Sequence, residues 1–275
     1  MTKKSKKTFD YQTKRWGIKP IKNLITDFQG LELVFFKSDV SPYFSKAGLS
    51  VLDLGCGGGN IDGYLKNIHP NWKITGVDVS SNSLKIAKKT FPNISFKEAS
   101  ADNLPFENKS FDLVVGFDTL EHFANLGKVL NEVKRVLKRH GYFYVAIPLE
   151  KQFPTLYWLM YKMGWRGKKE FAGHVNFFDN NELISFFGKN GFGYIKHHFS
   201  NHLLFSFADI PYYLMQSFRG QEAVSFESKI YESRINLKKT GLGLFKKIVS
   251  GVTFFESYIF RNFPGGKGHY LFRKT

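Results

Sequence analysis

Two kinds of hydrophobic pattern alternate along the middle of the chain. Short apolar runs, which predict buried strands, are SVLDLG, WKITGVDVS, ISFKEAS, FDLVVGFD, YFYVAIP and YIKHHF, all between residues 50 and 199. Helical patterns separate them; from Leu126 to Leu137, for example, apolar residues recur three and four positions apart on one helical face. Strands that alternate with helices in this way predict an α/β fold, with a parallel sheet covered by helices on both faces.

Capping signals place several helix ends. Ser80 or Ser81 can cap the helix after the second strand. Asp179 and Glu182 have the spacing of a capping box. Gly141 is expected to follow the helix that ends near residue 137.

The first strand runs directly into the glycine-rich segment GCGGGN, residues 55–60. Glycine at this density permits a sharp turn and a close approach of backbone amides to a ligand. A dinucleotide fingerprint would need its third glycine at Asn60, and a P-loop would need a following Gly-Lys-Ser/Thr. Neither pattern is in the sequence, which weakens both phosphate-binding interpretations and that of a dehydrogenase.

Three acids follow the first three predicted strands in order. Asp53 interrupts an apolar strand, where burial is costly unless the carboxylate meets a donor such as a ligand's ammonium group. Asp78 ends the second strand and can accept both hydroxyls of a ribose. Asp102 follows the third strand and can take the amine of an adenine, while Asn103 or a backbone amide binds the ring. The set fits S-adenosylmethionine (SAM), a cofactor without phosphates.

The segments VLDLGCGGGN, GVDVS, ADNLPFENKSFDLVV and FDTLEHF together resemble the ordered motifs of class I SAM-dependent methyltransferases. The nearest resemblance is to the subgroup that includes quinone-biosynthesis and other small-molecule methyltransferases, and KVLNEVKRVLKRHGYFYVAIP and GHVNFFDNNELISFFGKNGF are similar to it too. The resemblance covers about residues 45 to 198 and resumes at the last strand. It implies a Rossmann-like seven-stranded sheet with helices on both faces, an antiparallel last strand and a helical insertion before that strand.

The resemblance also implies which residues line SAM and its product, S-adenosylhomocysteine. They lie at the ends of the first four strands. The expected cofactor-binding residues are Asp53, Gly55, Cys56, Gly57, Gly59, Asp78, Val79, Ala101, Asp102, Asn103, Phe117 and Asp118.

Methyl transfer from a sulfonium is an in-line displacement, so positioning supplies much of the catalysis. A base is needed only where the acceptor carries a proton that it does not readily give up. The candidate catalytic residues are Asp118, His122 and His174. Some quinone O-methyltransferases that this chain resembles bind a divalent ion with a similar acid-x-x-Glu-His cluster. Glu121 and His122 are equally suited to packing and capping, and we expect no metal.

Charge and composition bear on partners and location. The 275 residues have a net charge of +17, which favours nucleic acid or an anionic membrane surface, or simply reflects a lysine-rich proteome. The one cysteine, Cys56, excludes an intrachain disulfide and fits a reducing compartment. We find no signal peptide and no transmembrane run, and expect a cytoplasmic protein, with peripheral membrane association as an option.

The pattern divides the chain into four segments. Residues 1–48 form a basic tail and helices that cap the cofactor site, and 49–199 form the SAM-binding core. Residues 200–266 form an aromatic-rich insertion, which suits a lid over a greasy acceptor, a membrane surface, a dimer surface or an added helical layer. Residues 267–275 supply the final strand.

The predicted function is SAM-dependent methylation of a small-molecule or lipid-like acceptor, with O, N and C acceptors all open. One alternative is an RNA methyltransferase that uses the basic surface; FDTLEHF lacks the prolines that DNA amino-methyltransferases place after the fourth strand. Another is a non-catalytic SAM-binding adaptor at a membrane or nucleic acid. The oligomeric state stays open.

Overall fold

The computed structural model describes residue 17 and the ranges 20–27, 29–44, 48–219 and 241–275. Residues 1–16 of the predicted basic tail and residues 220–240 of the predicted insertion lie outside the described residues. The strands are β1 (Ser50–Leu54), β2 (Lys73–Asp78), β3 (Ser95–Glu98), β4 (Phe111–Phe117), β5 (Leu137–Pro148), β6 (Phe192–Ser200) and β7 (Lys267–Lys274).

These strands form one seven-stranded sheet in the order β3-β2-β1-β4-β5-β7-β6. The pairs among β1 to β5 are parallel, whereas β7 runs antiparallel to both of its neighbours, β5 and β6. The predicted fold class, with its antiparallel last strand, is therefore confirmed. Because the parallel strands point the same way, the carboxyl ends of β1, β2, β3 and β4 meet at one edge, where ligands bind in open α/β sheets.

Helices cover both faces of the sheet, and further helices pack outside these layers. They are α1 (Gly30–Val40), α2 (Asn60–Ile68), α3 (Ser81–Thr90), α4 (Leu126–Val136), α5 (Leu156–Lys162), α6 (Asn180–Lys189), α7 (Leu203–Arg219) and α8 (Gly241–Ile259). Three short segments add to them: 3₁₀ turns at Ser41–Tyr43 and Leu120–His122, and a π-helix at Lys168–Ala172.

The capping signals have different outcomes. Ser80 caps α3 by accepting from the backbone amide of Ser83, and Asp179 with Glu182 forms the predicted capping box of α6. The expectation for Gly141 is wrong, because α4 ends at Val136 and the chain enters β5 at once. Leu137 already pairs with Phe111 of β4, so sheet pairing and not a glycine turn ends the helix.

The core has two layers, one on each face of the sheet. Alternate residues of a strand point to opposite faces. Val51, Leu113 and Val115 therefore pack with α1, α2 and α3, whereas Leu52, Leu54 and Val114 pack with α4 and α6. The strands are apolar on both faces, as expected of central strands in a covered sheet.

Helices α7 and α8 lie outside these two layers. Helix α7 contacts α5 and the π-helix, and α8 contacts α7, α1 and β6. On α8 the side chains of Ile248, Val252, Phe255 and Ile259 are exposed and follow one another at helical spacing. Among the helices that the structure describes, none is both long enough and apolar enough to cross a membrane.

Candidate active site

The glycine-rich segment forms a tight loop at the carboxyl end of β1. Gly55, Gly57 and Gly59 have φ angles of 71°, 53° and 77°, in the left-handed region that favours glycine. A Cβ atom on Gly55 would lie 2.2 Å from Oγ1 of Thr119. One on Gly59 would lie 2.7 Å from Cζ of Phe96. The loop therefore has no room for side chains at these positions, and its backbone lies at the ligand edge of the sheet.

Asp78 ties this loop to the end of β2. Its carboxylate accepts from the backbone amide of Gly57 at 2.8 Å and from that of Ser80 at 2.7 Å. Burial raises the pKa of Asp78, and the backbone donors oppose that rise. Since each carboxylate oxygen can accept more than one hydrogen bond, both keep capacity for ribose hydroxyls. The neighbouring Val79 is 44% exposed at the same edge.

Asp53 lies beneath the loop, with a second acid that the sequence analysis missed. Asp53 is 2% exposed, and Asp62, in the first turn of α2, is fully buried. Burial and then the charge of Asp62 raise the pKa of Asp53 well above its ordinary value, and burial raises that of Asp62 to about 7. Among the described residues, no donor reaches either carboxylate oxygen of Asp62. This surplus of buried acid suits a cation, and the ammonium and sulfonium groups of SAM are cations.

The turn after β3 supplies a more open wall. Ala101 is buried, whereas Asp102 and Asn103 are exposed. Asp102 accepts from the hydroxyl of Ser100 at 2.5 Å, and the amide of Asn103 donates to the carbonyl of Ser100 at 3.1 Å. The turn is thus fixed while its polar side chains remain accessible, as an adenine site requires.

Two other expected cofactor residues, Cys56 and Phe117, have side chains that are buried in the core. Cys56 is 6% exposed, and burial raises its pKa well above the ordinary value, so its thiol stays protonated. Phe117 ends β4 with its ring packed 6.0 Å from that of Phe36 and 5.5 Å from that of Tyr144. For both residues, the side chain is therefore part of the core.

Asp118 follows at the end of β4 with a φ of 49°, and its side chain is 41% exposed. Its carboxylate accepts from Nζ of Lys267 at 2.6 Å. Lys267 also pairs with the buried carboxylate of Glu32 on α1. Burial lowers the pKa of Lys267, but the charges of Asp118 and Glu32 outweigh it and raise the pKa above its ordinary value. Lys267 therefore stays charged and holds Asp118 at the edge of the sheet.

A second polar group lies one turn beyond Asp118. The backbone amides of Val175 and Asn176 donate to the carbonyl of Glu121, and the side chain of Asn176 donates to the carbonyls of Leu120 and Phe123. The loop at 174–176 is thereby clamped to the 3₁₀ turn. The clamp brings His174 beside Glu121 and His122, although more than 50 residues separate them in sequence.

The carboxylate and the two imidazoles converge. Oε1 of Glu121 is 3.8 Å from Nε2 of His122 and 3.9 Å from Nε2 of His174. Nδ1 of His122 lies 3.3 Å from the carbonyl of Gly173, and Nδ1 of His174 lies 2.6 Å from Oε1 of Glu150. Glu121 and Glu150 are 1% and 4% exposed, and burial, then Asp118, raises the pKa of Glu121 well above its ordinary value.

His122 is only partly buried but strongly desolvated. Burial and then the neighbouring His174 lower its pKa to about 4, so the ring is neutral at physiological pH. We call Glu121, His122, His174 and Glu150 the Glu-His cluster. Of the candidate catalytic residues, it contains His122 and His174, and Asp118 precedes it on the same segment.

Sequence reasoning left out four charged residues that shape this edge. They are Glu32, Asp62, Glu150 and Lys267, of which Glu150 lies two residues beyond the strand motif YFYVAIP. An acid just after the fifth strand was a usable signal. The sequence around Lys267 and Glu32 contains no such signal, because their partners are far away in the sequence.

Residues 52–145 match a family model described as a methyltransferase domain. A demethylmenaquinone methyltransferase from Chlorobaculum parvum is 35% identical over 106 residues, which are 38% of this chain and 44% of that protein. A phthiotriol/phenolphthiotriol dimycocerosates methyltransferase from Mycobacterium tuberculosis is 36% identical over 99 residues, 35% of this chain and 36% of that one. The chain thus matches less than half the length of these relatives.

Among solved structures, a candidate sarcosine dimethylglycine methyltransferase from Galdieria sulphuraria superposes with a TM-score of 0.57 at 18% identity, covering 90% of this chain and 85% of that one. This likeness concerns the fold. Together, the findings confirm the family resemblance, the class I methyltransferase architecture and SAM as the cofactor.

Proposed function

We propose that the whole protein moves a methyl group from SAM to a small-molecule or lipid-like acceptor. The match of residues 52–145 to a methyltransferase domain and the class I fold support this proposal. The carrying observation is one edge of the sheet on which the glycine loop, Asp53, Asp78 and Asp118 meet. When bound there, SAM supplies an activated methyl group. The chain's own residues bind and orient SAM and the acceptor and exclude water from them.

On the cofactor side, the positions of the residues support the following roles. The loop backbone at 55–59 receives the methionine portion, and the buried acids Asp53 and Asp62 balance its positive charges. Asp78 holds the loop and accepts the ribose hydroxyls. Ala101, Asp102 and Asn103 border the adenine. Val79 and the backbones of Cys56 and Phe117 complete the wall.

On the acceptor side, Asp118, His122 and His174 orient the accepting group towards the methyl carbon. Lys267 holds Asp118 in place, and the clamp by Asn176 holds both imidazoles on one side of the turn. Groups held in this way lower the activation barrier of methyl transfer, because in-line displacement requires the acceptor atom to be aligned with the methyl carbon.

The acceptor class rests on two supports. The relatives named above are methyltransferases whose names specify a quinone and long-chain lipids. In this chain, α8 exposes an apolar stripe beside the catalytic core, which suits a lipid-like acceptor or an anionic membrane surface. Both features favour an apolar acceptor over a highly charged one.

The first experiment separates cofactor binding from acceptor choice. Calorimetric titration of SAM into the protein should show binding that Asp78→Asn weakens by roughly 10- to 100-fold, since hydrogen bonds to a charged group contribute about 1.5–3 kcal/mol. Asp112→Asn is the matched control, because Asp112 pairs with Lys138 at the opposite end of β4. Equal affinities in the two variants would remove Asp78 from the site.

Methyl transfer from labelled SAM into a cell extract, followed by fractionation, then identifies the acceptor class. We expect label in the organic phase. Label in nucleic acid would instead support an RNA methyltransferase, which the net charge of +17 favours. SAM binding without label in any fraction, in extracts that contain quinones and lipids, would favour a non-catalytic adaptor.

A further inference from the structure

The Glu-His cluster has the composition and spacing of a metal site. One oxygen of Glu121 and one nitrogen each of His122 and His174 all lie within 4.8 Å of one another. The two Oε1–Nε2 distances are 3.8 and 3.9 Å. Ligands bonded tetrahedrally to Zn²⁺ at about 2.0–2.1 Å lie about 3.3 Å apart. The two carboxylate–imidazole distances exceed that spacing by about half an ångström, and the third separation is within 4.8 Å, so the three side chains would have to move inward to close around a cation.

The outer contacts orient both rings for this purpose. The carbonyl of Gly173 can only accept, so Nδ1 of His122 carries the proton. The Glu150 carboxylate fixes Nδ1 of His174 in the same way. With Nδ1 engaged in each ring, Nε2 is the nitrogen left to give an electron pair to an ion, and both Nε2 atoms are the ring nitrogens that face Glu121. Metal-binding histidines are characteristically held by a carboxylate or carbonyl on the other nitrogen.

The Glu121 carboxylate supplies an independent indication. It is 1% exposed, and among the described residues no donor reaches its Oε2 atom. A buried carboxylate oxygen without a hydrogen bond is costly, and a cation bound between the carboxylate and the two imidazoles would offset that cost. Two imidazoles and one carboxylate suit Zn²⁺, Fe²⁺, Co²⁺ and similar ions, whereas Mg²⁺ prefers oxygen ligands.

Asp118 is not part of this set. Its carboxylate is paired with Lys267, which Glu32 holds from the other side. In the acid-x-x-Glu-His pattern of the quinone O-methyltransferases that the sequence resembles, the first acid would be a ligand. Here an ammonium group occupies that acid, and His174, which lies outside the pattern, completes the cluster.

We propose that Glu121, His122 and His174 bind a divalent transition-metal ion, with Asp118 left outside its coordination sphere. This inference deepens the proposed function and rests on it for its consequence. An ion with three protein ligands keeps an open position, which favours an acceptor that presents an ionisable hydroxyl group. The acceptor hydroxyl would lose its proton to solvent, and the ion would stabilise the resulting oxygen anion. The methyl carbon would bond to that oxygen as its bond to the sulfonium sulfur of SAM breaks, and S-adenosylhomocysteine would leave.

The test measures binding of the metal alone. Protein freed of metal by chelation and dialysis is titrated with Zn²⁺ in a calorimeter, and bound zinc is counted after gel filtration. We expect one ion per chain, with affinity reduced at least 100-fold in Glu121→Gln and in His174→Ala. Asp118→Asn is expected to retain zinc binding. Binding that survives in both cluster variants, or a loss in Asp118→Asn equal to theirs, would overturn the assignment.

A readout on the unaltered chain covers the case in which a cluster variant does not fold. With Co²⁺ bound, the Nδ1–H protons of His122 and His174 should give two strongly shifted, exchangeable proton resonances. Absence of this pair, or absence of any tight Zn²⁺ or Co²⁺ site, would refute the proposal. Titration of SAM into the same metal-free protein distinguishes failure of the metal site from failure of the proposed function. If the protein binds SAM but no metal, only the metal site is refuted. If it binds metal but no SAM, only the proposed function is contradicted.

Discussion

The cofactor edge and the Glu-His cluster are assembled in opposite ways. The cofactor edge is built from consecutive strand ends, so its loop, Asp53 and Asp78 follow each other within 26 residues. The cluster comes from the 3₁₀ turn, from Glu150 just beyond β5 and from the 174–176 loop, and the neighbouring Asp118 is held by the first residue of β7. The first site is therefore fixed by local turns that glycine permits, whereas the second exists only once distant segments have packed together.

The largest expected effect comes from removing the charge of Lys267, which links Glu32 on α1 to Asp118 at the end of β4. Lys267→Met leaves Glu32 and Asp118 without their partner, and loss of one member of a buried ion network costs about 3–5 kcal/mol. Urea denaturation should show that loss. Lys138→Met, which removes an exposed partner of Asp112, should change stability by less than about 1 kcal/mol. Similar losses in both variants would contradict the special role of Lys267.

A second test breaks the local site. Gly55→Ala combines a positive φ, which costs a non-glycine residue about 1–2 kcal/mol, with a clash against Thr119 that adds about 1–3 kcal/mol. We expect a loss of about 2–5 kcal/mol in unfolding free energy and a loss of SAM binding. Gly188→Ala is the control, because its Cβ meets nothing in α6; it should gain up to about 1 kcal/mol.

The buried acids under the loop predict a pH dependence. The pKa of Asp62 is raised from 3.8 to about 7 in the folded state, so the folded chain binds more protons than the unfolded chain between these values. Its contribution to stability is complete below pH 3.8 and is lost as the pH rises through about 7. Asp62→Asn should therefore flatten the fall in stability between pH 4 and 7 relative to Glu98→Gln, an exposed control.

The smallest effect concerns the clamp. Asn176→Ala removes two hydrogen bonds to backbone carbonyls of the 3₁₀ turn and should cost about 1–2 kcal/mol. It should weaken Zn²⁺ binding at the Glu-His cluster and leave SAM affinity unchanged. Asn181→Ala, which changes an exposed asparagine on α6, serves as control. A parallel loss of SAM affinity would show that the two regions are less separate than their contacts indicate.

The same contrast explains which features of the fold and of the site can be predicted from the sequence. The strand–loop–helix alternation predicted the sheet, and the order of Asp53, Asp78 and Asp102 predicted the cofactor, because each signal is local. The surplus acid at Asp62 was visible only once α2 packed beneath the loop. The side chain of Phe117 likewise faced the core because α1 covers that side of β4, which no pattern around residue 117 indicates.

The position of β7 has a consequence for the order in which the molecule is completed during synthesis. Within the described sheet, β7 lies between β5 and β6, and β6 pairs with no other strand. A ribosome-bound chain that has already emerged through residue 260 therefore carries β6 as an unpaired segment, with Glu32 and Asp118 still lacking Lys267. Pairing of β7 fills the gap between β5 and β6 and brings Lys267 to Glu32 and Asp118, so the sheet closes and this ion network forms in the same step.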